Sequence, residues 1–371
     1  MAFEDDVWEA VRPPFRPTYK ADSNMAFATQ LGQRSVAKTG QGERYLSAAA
    51  ARAQLARIVN RTPEVLVKVT GRPKGRGHTN AHLAYISRHG KLGVETRDGE
   101  YLTTRQEIAE RAAEWSDDAA WRKTASVSSV SMVFSMPAGT DPESVLGAVR
   151  ALATQELGDN HDYVMALHTD TERPHVHLAV QAQGDDRRRF NPGREQLFRF
   201  REQFALELRK RGIEASATPR RARGVGRAGS SMALRQIRDR YVIGAGAPAR
   251  EDLRAAQHSV AVIRGQASHP PFVDKAKARW EAIRGAYAKA SAALLRSENK
   301  EDRTLGKELE EFTARHSGVE MTPESLVRTY QKEMASIGEF DKSSQAQSVP
   351  DPNEPTSIGD LSPKPPPMRN R

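Results

Sequence analysis

The chain has 371 residues, of which 38% are hydrophobic and 28% are charged, so it is long enough for one large domain or two ordinary ones. It contains no cysteine, which excludes disulfides and cysteine-ligated zinc and leaves histidine and carboxylate as the ligands of any metal site. The net charge of +10 favours a polyanionic partner over a small neutral substrate.

The N-terminal third begins with a segment rich in proline, glycine, serine and charge. Residues 1–62 are therefore predicted to be a largely disordered extension with one helix, in the alanine-rich stretch "YLSAAAARAQLARIV". The valine-dense "EVLVKVTG" predicts a strand, and "RPKGRG" after it a basic glycine turn. In "HTNAHLAYISRHG" we expect a short helix that carries Tyr85, with Thr79 or Asn80 as its cap and Gly90 as its end.

The middle of the chain alternates helical and strand patterns. "TTRQEIAERAAEWSDDAAW" and "DPESVLGAVRALATQEL" predict helices that begin near Thr103 and Asp141. Between them, "SVSSVSMVFSMPAG" has an apolar residue at every second position, which is typical of a strand with one buried face. Two strands, "DYVMALHTD" and "RPHVHLAVQ", and the amphipathic helix "GREQLFRFREQFALELRKRG" follow. This order predicts an α+β fold whose mostly antiparallel sheet is packed by helices on one side.

The pattern after Gly229 is helical throughout, and the end of the chain is polar. We predict helices near Met232–Val242, Glu251–Arg264, Val273–Leu295 and Pro323–Met334, then a disordered tail rich in proline and serine. The predicted domains are an N-terminal extension at 1–62, an α+β domain at 63–229, a helical region at 230–338 and a tail at 339–371. No apolar run approaches the roughly 18 residues of a membrane span and no signal peptide is visible, so we expect a cytoplasmic protein without membrane insertion.

Three histidines lie on two consecutive strands of the predicted sheet. By the period of two, His168 and Asp170 share one face of the first strand, while His175 and His177 share a face of the second. If the strands pair, His168 lies opposite the other two, since directly opposed Cβ atoms are about 4.5 to 5.5 Å apart. The sequence therefore predicts that three imidazoles converge on one ion.

Histidines on an ordinary sheet that face solvent or make hydrogen bonds are the alternative interpretation. Three of the chain's 10 histidines in register with an aspartate favour a metal site instead. A three-histidine site leaves coordination positions open, which is typical of a catalytic metal, and imidazole accepts Mn, Zn, Ni or Co. Asp170 is interpreted as a partner that holds one imidazole tautomer, or as a proton acceptor, and not as a fourth ligand.

Four ordered blocks between about Glu64 and Gly229 resemble one family. "HVH", preceded by "HTD", is similar to the third motif of conjugative relaxases in the His-hydrophobe-His endonuclease superfamily. "HLAYISRHGKLGVET" resembles the nucleophile motif of the MOB-P relaxases, the class that includes the T-DNA border endonuclease of Agrobacterium. "VSMVFSMPAGTD" and "IEASATPRRARGVGRAG" fit the same group. Arg173 departs from the pattern, because some members have a further histidine there.

The resemblance implies a mechanism and a set of partners. Tyr85 stands where the motif has its catalytic tyrosine; its oxygen would attack a DNA phosphodiester at an origin of transfer, leaving a 5′-phosphotyrosyl bond that can be religated. The implied cofactor at His168, His175 and His177 is a divalent metal ion, Mg or Mn before Zn, Ni or Co. The implied partners are single-stranded DNA, accessory relaxosome proteins, a coupling protein and a type IV secretion system, with translocation into a recipient cell on the DNA.

Several polar residues are candidates for DNA contacts. From Gly184 to Arg227 there are 13 Arg or Lys against 6 Asp or Glu. A solvated helix and a basic loop would explain this charge, but its position beside the histidines favours a surface that binds the phosphate backbone. The candidates are Lys74 and Arg76 in the glycine turn, Arg187, Arg188 and Arg189 after the second histidine strand, and Ser126, Ser128 and Ser129, which resemble the second motif of the family. A surface charge or a polar strand face explains each of them as well.

Three other functions compete with a relaxase. A rolling-circle replication initiator or transposase of the same superfamily usually has a different tyrosine context. A non-catalytic DNA-binding accessory protein would keep the basic stretch but would not need three aligned histidines beside an aspartate. A metal hydrolase of small substrates is disfavoured by the positive charge.

Overall fold

The structure is a computed structural model and describes residues 3–11, 47–120, 127–224, 232–268 and 271–315. Within these ranges it contains ten α-helices, six strands and one 3-10 turn. In chain order they are α1 Phe3–Val11, α2 Ala48–Val59, β1 Leu66–Gly71, α3 Gly75–Ile86, β2 Val94–Thr96, β3 Tyr101–Leu102, α4 Arg105–Ala120, β4 Ser129–Ser135, α5 Pro142–Glu156, β5 Tyr163–His168, β6 His175–Gln181, α6 Arg194–Lys210, the 3-10 turn Arg220–Arg223, α7 Met232–Val242, α8 Arg250–Ile263, α9 Pro271–Leu295 and α10 Lys300–Arg315.

The strands form one sheet in the order β1-β4-β6-β5-β2-β3, and every neighbouring pair is antiparallel. The predicted α+β class with a mostly antiparallel sheet is confirmed. The two histidine strands, β5 and β6, lie at the centre of the sheet, with His168 opposite His175 and Ala166 opposite His177.

One face of the sheet carries the main core. Met132, Met165 and Leu178 point to this face from three neighbouring strands and are buried. Helices α5 and α6 cover them, α6 through Phe200 and Phe204. The helix predicted to be amphipathic thus buries these two phenylalanines, and Phe134 meets Phe204 edge to face at a centroid distance of 5.4 Å.

Helices also cover the opposite face, where none was predicted. Val164, Ala166 and Ala179 pack there with α3 and α4, whose contributions include Leu83 and Trp115. The expectation of helices on one side was wrong, because the apolar residues of this face are interrupted by the histidines and the face resembles a solvated one in sequence. This second layer brings the end of α3 to the histidines.

Helix α3 begins earlier than predicted. Thr79 does not cap it but lies buried inside it, and its hydroxyl donates to the carbonyl of Gly75 at 3.0 Å. Gly75, with a φ of 67°, starts the helix, and its N–H donates to the Ser128 hydroxyl at 2.9 Å. Glycine adopts this left-handed conformation without a steric penalty, so the glycine turn and the helix form one unit.

The short hairpin of β2 and β3 was not predicted and extends the sheet at one edge. Its strands are too short to show periodicity. Glu95 of β2 is only 6% exposed, and it accepts two hydrogen bonds from Arg150 of α5, at 2.5 and 2.8 Å. The Tyr101 hydroxyl also donates to Glu95 at 3.2 Å.

Arg150→Met is expected to lower the free energy of unfolding by about 2 kcal/mol, because it leaves a buried carboxylate without its cation. Urea denaturation measures the change. The double variant Arg150→Met/Glu95→Gln should regain part of the loss, since an amide is cheaper to bury than a carboxylate. Equal urea midpoints for Arg150→Met and the unmodified protein would show that the pair does not stabilise the fold.

The remaining helices form two groups. Among the described residues, 3–11, 47–120, 127–224 and 278–315 belong to one compact unit, and 232–268 with 271–277 belong to another. In the first unit, α1, α2, α9 and α10 share a small core that includes Leu55, Tyr287 and Phe312. Neither α1 nor α10 was predicted; the charged sequence of α10 hides its apolar positions. The proposed domain limits stay a prediction, and the helix at Pro323–Met334 and the tail at 339–371 lie outside the described residues.

No helix in the described ranges combines the length and apolar character that a membrane span requires.

Candidate metal and nucleophile site

The three histidines of β5 and β6 converge as predicted. The ring centroids of His168 and His177 are 4.5 Å apart, and both lie 5.2 to 5.3 Å from the ring of His175. One ring nitrogen from each residue lies within 4.8 Å of the others. Two nitrogens bound to one ion at about 2.1 Å are at most about 4.2 Å apart, so a small closing rotation of the rings completes a ligand set.

Backbone carbonyls orient two of the three imidazoles. His168 Nε2 donates to the carbonyl oxygen of Ile86 at 2.7 Å, and His175 Nδ1 donates to that of Arg173 at 3.0 Å. A carbonyl only accepts, so these contacts place the ring proton on Nε2 of His168 and on Nδ1 of His175. The ring lone pairs are therefore on His168 Nδ1 and His175 Nε2. Such carbonyl partners are the usual means of fixing the tautomer of a metal-binding histidine.

Burial favours the neutral, ligating form of His168 and His177. Desolvation lowers the pKa of His177 to about 3, with further lowering by the nearby His168 and His175. Desolvation also lowers the pKa of His168. Nδ1 of His177 is buried and has no hydrogen-bond partner among the described residues. Neutral imidazoles beside an unsatisfied buried nitrogen fit a divalent cation.

Tyr85 lies in the last turn of α3 beside these rings. Its ring centroid is 5.8 Å from that of His177 and 6.4 Å from that of His168. Leu83 and Ile86 face the core, whereas the Tyr85 side chain is 51% exposed. Tyr85 is therefore not a core aromatic, and its ring is open to a substrate next to the histidines.

Asp170 does not hold an imidazole in this structure. Its carboxylate instead accepts a hydrogen bond at 2.5 Å from Nη2 of Arg88, a residue that the sequence analysis did not single out. The same Arg88 nitrogen lies 3.1 Å from His168 Nδ1, and the guanidinium carbon lies 5.6 Å from the centroid of the Tyr85 ring. The only signal in the sequence was an arginine three residues after the tyrosine, at the end of a helix.

His82 was missed as well. It lies one turn before Tyr85 on α3, where its Nδ1 is 3.2 Å from the hydroxyl of Ser131. Electrostatic repulsion from His82 contributes to the lowered pKa of His177. His82 therefore lies near the histidine site, between α3 and the sheet.

Residues 85–213 match the family model of the relaxase nuclease domain, MobA/VirD2-like. The match begins at Tyr85 and includes His168, His175 and His177. This segment is therefore similar to the nuclease domain of relaxases. A relaxase domain implies DNA endonuclease activity, single-stranded DNA binding and dependence on a metal.

No curated protein matches the chain. One solved structure, described as the molecular basis of vancomycin resistance transfer in Staphylococcus aureus, is similar over 42% of this chain and 98% of its own. The two share 14% sequence identity, and the TM-score is 0.30.

The basic candidates for DNA contacts lie at the opposite end of the sheet from His175. Lys74 and Arg76 are exposed at the start of α3, and residues 187–189 are exposed in the loop after β6. The two basic segments meet at Val127, which pairs with Lys74 and whose carbonyl accepts from Arg189 at 2.5 Å.

The serines of the second motif face inward where they are described. Ser128 is 1% exposed and accepts from Gly75, so it supports the glycine turn. Ser129 is also buried. Because both side chains are buried, we interpret these serines as polar residues of the strand and not as direct DNA contacts. Ser126 lies outside the described residues.

Proposed function

We propose that this chain is a relaxase that nicks one DNA strand at an origin of transfer by transesterification at Tyr85. The single observation that carries the proposal is the exposed Tyr85 ring, which lies within 6.4 Å of two of three convergent histidines. A phosphate that touches the tyrosine oxygen would then also be in reach of a cation held by the imidazoles.

The proposed reaction exchanges one phosphoester bond for another. The Tyr85 oxygen attacks phosphorus, the bond from phosphorus to the 3′-oxygen breaks, and the 3′-oxygen leaves as a hydroxyl. The phosphate stays on the tyrosine as a 5′-phosphotyrosyl ester. Since the number of phosphoester bonds does not change, the 3′-hydroxyl can reverse the step and close the strand.

His168, His175 and His177 would hold a divalent ion, Mg or Mn before Zn, Ni or Co. When bound, that ion polarises the scissile phosphate and offsets the charge that develops on its oxygens. Phenol has a pKa near 10, so its proton must pass to a base as the bond forms. Asp170, a carboxylate at the edge of the site, is proposed to serve the reaction either as that proton acceptor or by positioning Arg88.

The basic segments suggest a path for the strand. Helix α3 has Lys74 at its N-terminal end and Tyr85 near its C-terminal end. Ten residues of helix separate Gly75 from Tyr85, which corresponds to about 15 Å. We propose that Lys74, Arg76 and Arg187 to Arg189 bind phosphates at that distance from the scissile bond, where they would position the strand without reading its sequence.

The wider setting is part of the same proposal. The reaction would serve conjugative transfer or mobilisation from a bacterial cytoplasm, with accessory relaxosome proteins, a coupling protein and a type IV secretion system as partners. No observation in the structure favours a replication initiator, a transposase or a non-catalytic accessory protein over this function.

A doubly labelled substrate tests the proposal. Single-stranded oligonucleotides tiled over the DNA that flanks the gene carry one dye at the 5′ end and another at the 3′ end, and are incubated with the protein and Mn²⁺. We expect one oligonucleotide to leave its 3′ dye on the protein in a denaturing gel and to release its 5′ dye. Two free fragments would indicate attack by water, and no cleavage of any oligonucleotide on either strand would contradict a nicking function.

A further inference from the structure

Arg88 is held at the histidine site by an unusual turn. Arg88, His89 and Gly90 have φ values of 52°, 58° and 82°, so three consecutive residues are left-handed and two of them are not glycine. Each such non-glycine residue costs about 1 kcal/mol or more. The turn is nevertheless fixed: the Ser87 hydroxyl donates to Ala84 O at 3.0 Å, and Arg105 Nε donates to His89 O at 2.8 Å. Such over-determined strain is typical of functional sites.

Arg88 contacts the same ring nitrogen of His168 that a metal ion would bind. His168 Nε2 carries the ring proton and is committed to the Ile86 carbonyl at 2.7 Å. A neutral imidazole has one other nitrogen with one lone pair, so His168 can ligate only through Nδ1. That lone pair already accepts the Arg88 N–H at 3.1 Å.

We propose that Arg88 and the metal ion compete for His168 Nδ1, so that metal loading releases the guanidinium for the DNA phosphate. This inference rests on the proposed function and deepens it by adding a phosphate-binding residue to the same site. Arginine suits the role because its planar donors match phosphate oxygens and it keeps its charge at all relevant pH values.

Two contacts would keep the released arginine near the reaction. Asp170 accepts from Nη2 at 2.5 Å, and the Tyr85 ring lies below the guanidinium at 5.6 Å. Neither contact involves the lone pair of His168. Arg88 would therefore stay beside the tyrosine that forms the phosphoester bond, with its donors free for an anionic oxygen.

The affinity for Mn²⁺ without DNA, measured by titration calorimetry, tests the competition. Arg88→Met keeps most of the side-chain stem but removes both the charge and the donor. We expect it to bind Mn²⁺ about tenfold more tightly than the unmodified protein, because no hydrogen bond to His168 must be broken first. In a Tyr85→Phe background with Mn²⁺ bound, the same change should weaken binding of the oligonucleotide that the unmodified protein cleaves.

Arg173→Met is the matched control for charge. Arg173 is exposed two residues before His175, and only its backbone carbonyl contacts an imidazole in the described structure. Removing this charge should change the Mn²⁺ affinity by less than about twofold, because solvent screens it. Thermal unfolding of both variants without metal checks that they fold.

The competition is overturned if Arg88→Met binds Mn²⁺ no more tightly than the unmodified protein, or if Arg173→Met gains as much. If Arg88→Met leaves oligonucleotide binding unchanged, Arg88 does not bind the DNA phosphate. In each case the labelled adduct formed by the unmodified protein would still stand, so this inference can fail while the proposed function holds.

Discussion

Tyr85→Phe is expected to abolish formation of the covalent protein–DNA adduct, a loss of more than about a thousandfold. The substitution removes the one oxygen that attacks phosphorus, and phenylalanine has no substitute nucleophile. The fold should be unaffected: the ring is 51% exposed, and exposed substitutions usually change the free energy of unfolding by less than about 0.5 kcal/mol. A denaturing gel with the 3′-labelled oligonucleotide measures the adduct.

Tyr101→Phe provides the matched control. Tyr101 is similarly exposed, at 55%, but belongs to the β2–β3 hairpin, where its hydroxyl donates to Glu95. This variant should still form the adduct. An adduct with Tyr85→Phe, or a labelled peptide that maps to another tyrosine, would show that Tyr85 is not the nucleophile.

His177→Ala is expected to weaken Mn²⁺ binding by at least about a hundredfold. Changes to residues that merely orient a metal ligand typically cost 10- to 100-fold, and His177 is proposed to be a ligand itself. Nicking should fall in parallel and return in part at high Mn²⁺ concentration, because the other two imidazoles remain. Calorimetry gives the affinity, and adduct yield as a function of Mn²⁺ concentration gives the activity.

Metal-dependent stabilisation offers a second measurement. An ion that binds only the folded state raises the unfolding temperature as its concentration rises above the dissociation constant. Mn²⁺ should therefore stabilise the unmodified protein and His258→Ala, whose exposed histidine lies in α8, but not His177→Ala. Equal stabilisation of all three proteins would place the metal elsewhere.

The sequence predicted the sheet and the histidine cluster because both follow from local periodicity. Alternation assigns His175 and His177 to one face of β6, and the short polar turn before β6 makes β5 its antiparallel neighbour. Once the strands pair, the register places His168 opposite His175. The apolar spacing of α6 likewise predicted its buried phenylalanines. In each case the information lies within about ten residues of the chain.

Weakly patterned elements were not predictable in the same way. The hairpin strands β2 and β3 have three and two residues, too few to show a period. The apolar positions of α10 are diluted by charge, and they have a reason to be apolar only because α2 and α9 pack against them. The packing of α3 and α4 on the second face of the sheet was also not predicted. The small residues that flank the histidines on this face do not indicate that a helix packs there.

Sequence alone thus determined which imidazoles share a face, and it predicted a metal site in a positively charged chain. Only the tertiary structure decided how that site is completed. Arg88 is 80 residues from His168 along the chain, and the Ile86 carbonyl is 82 residues away. They reach His168 because α3 packs on the sheet and a left-handed turn redirects the chain after Ser87. The direction of a carbonyl and the handedness of a turn are properties of the folded backbone, which side-chain periodicity does not encode.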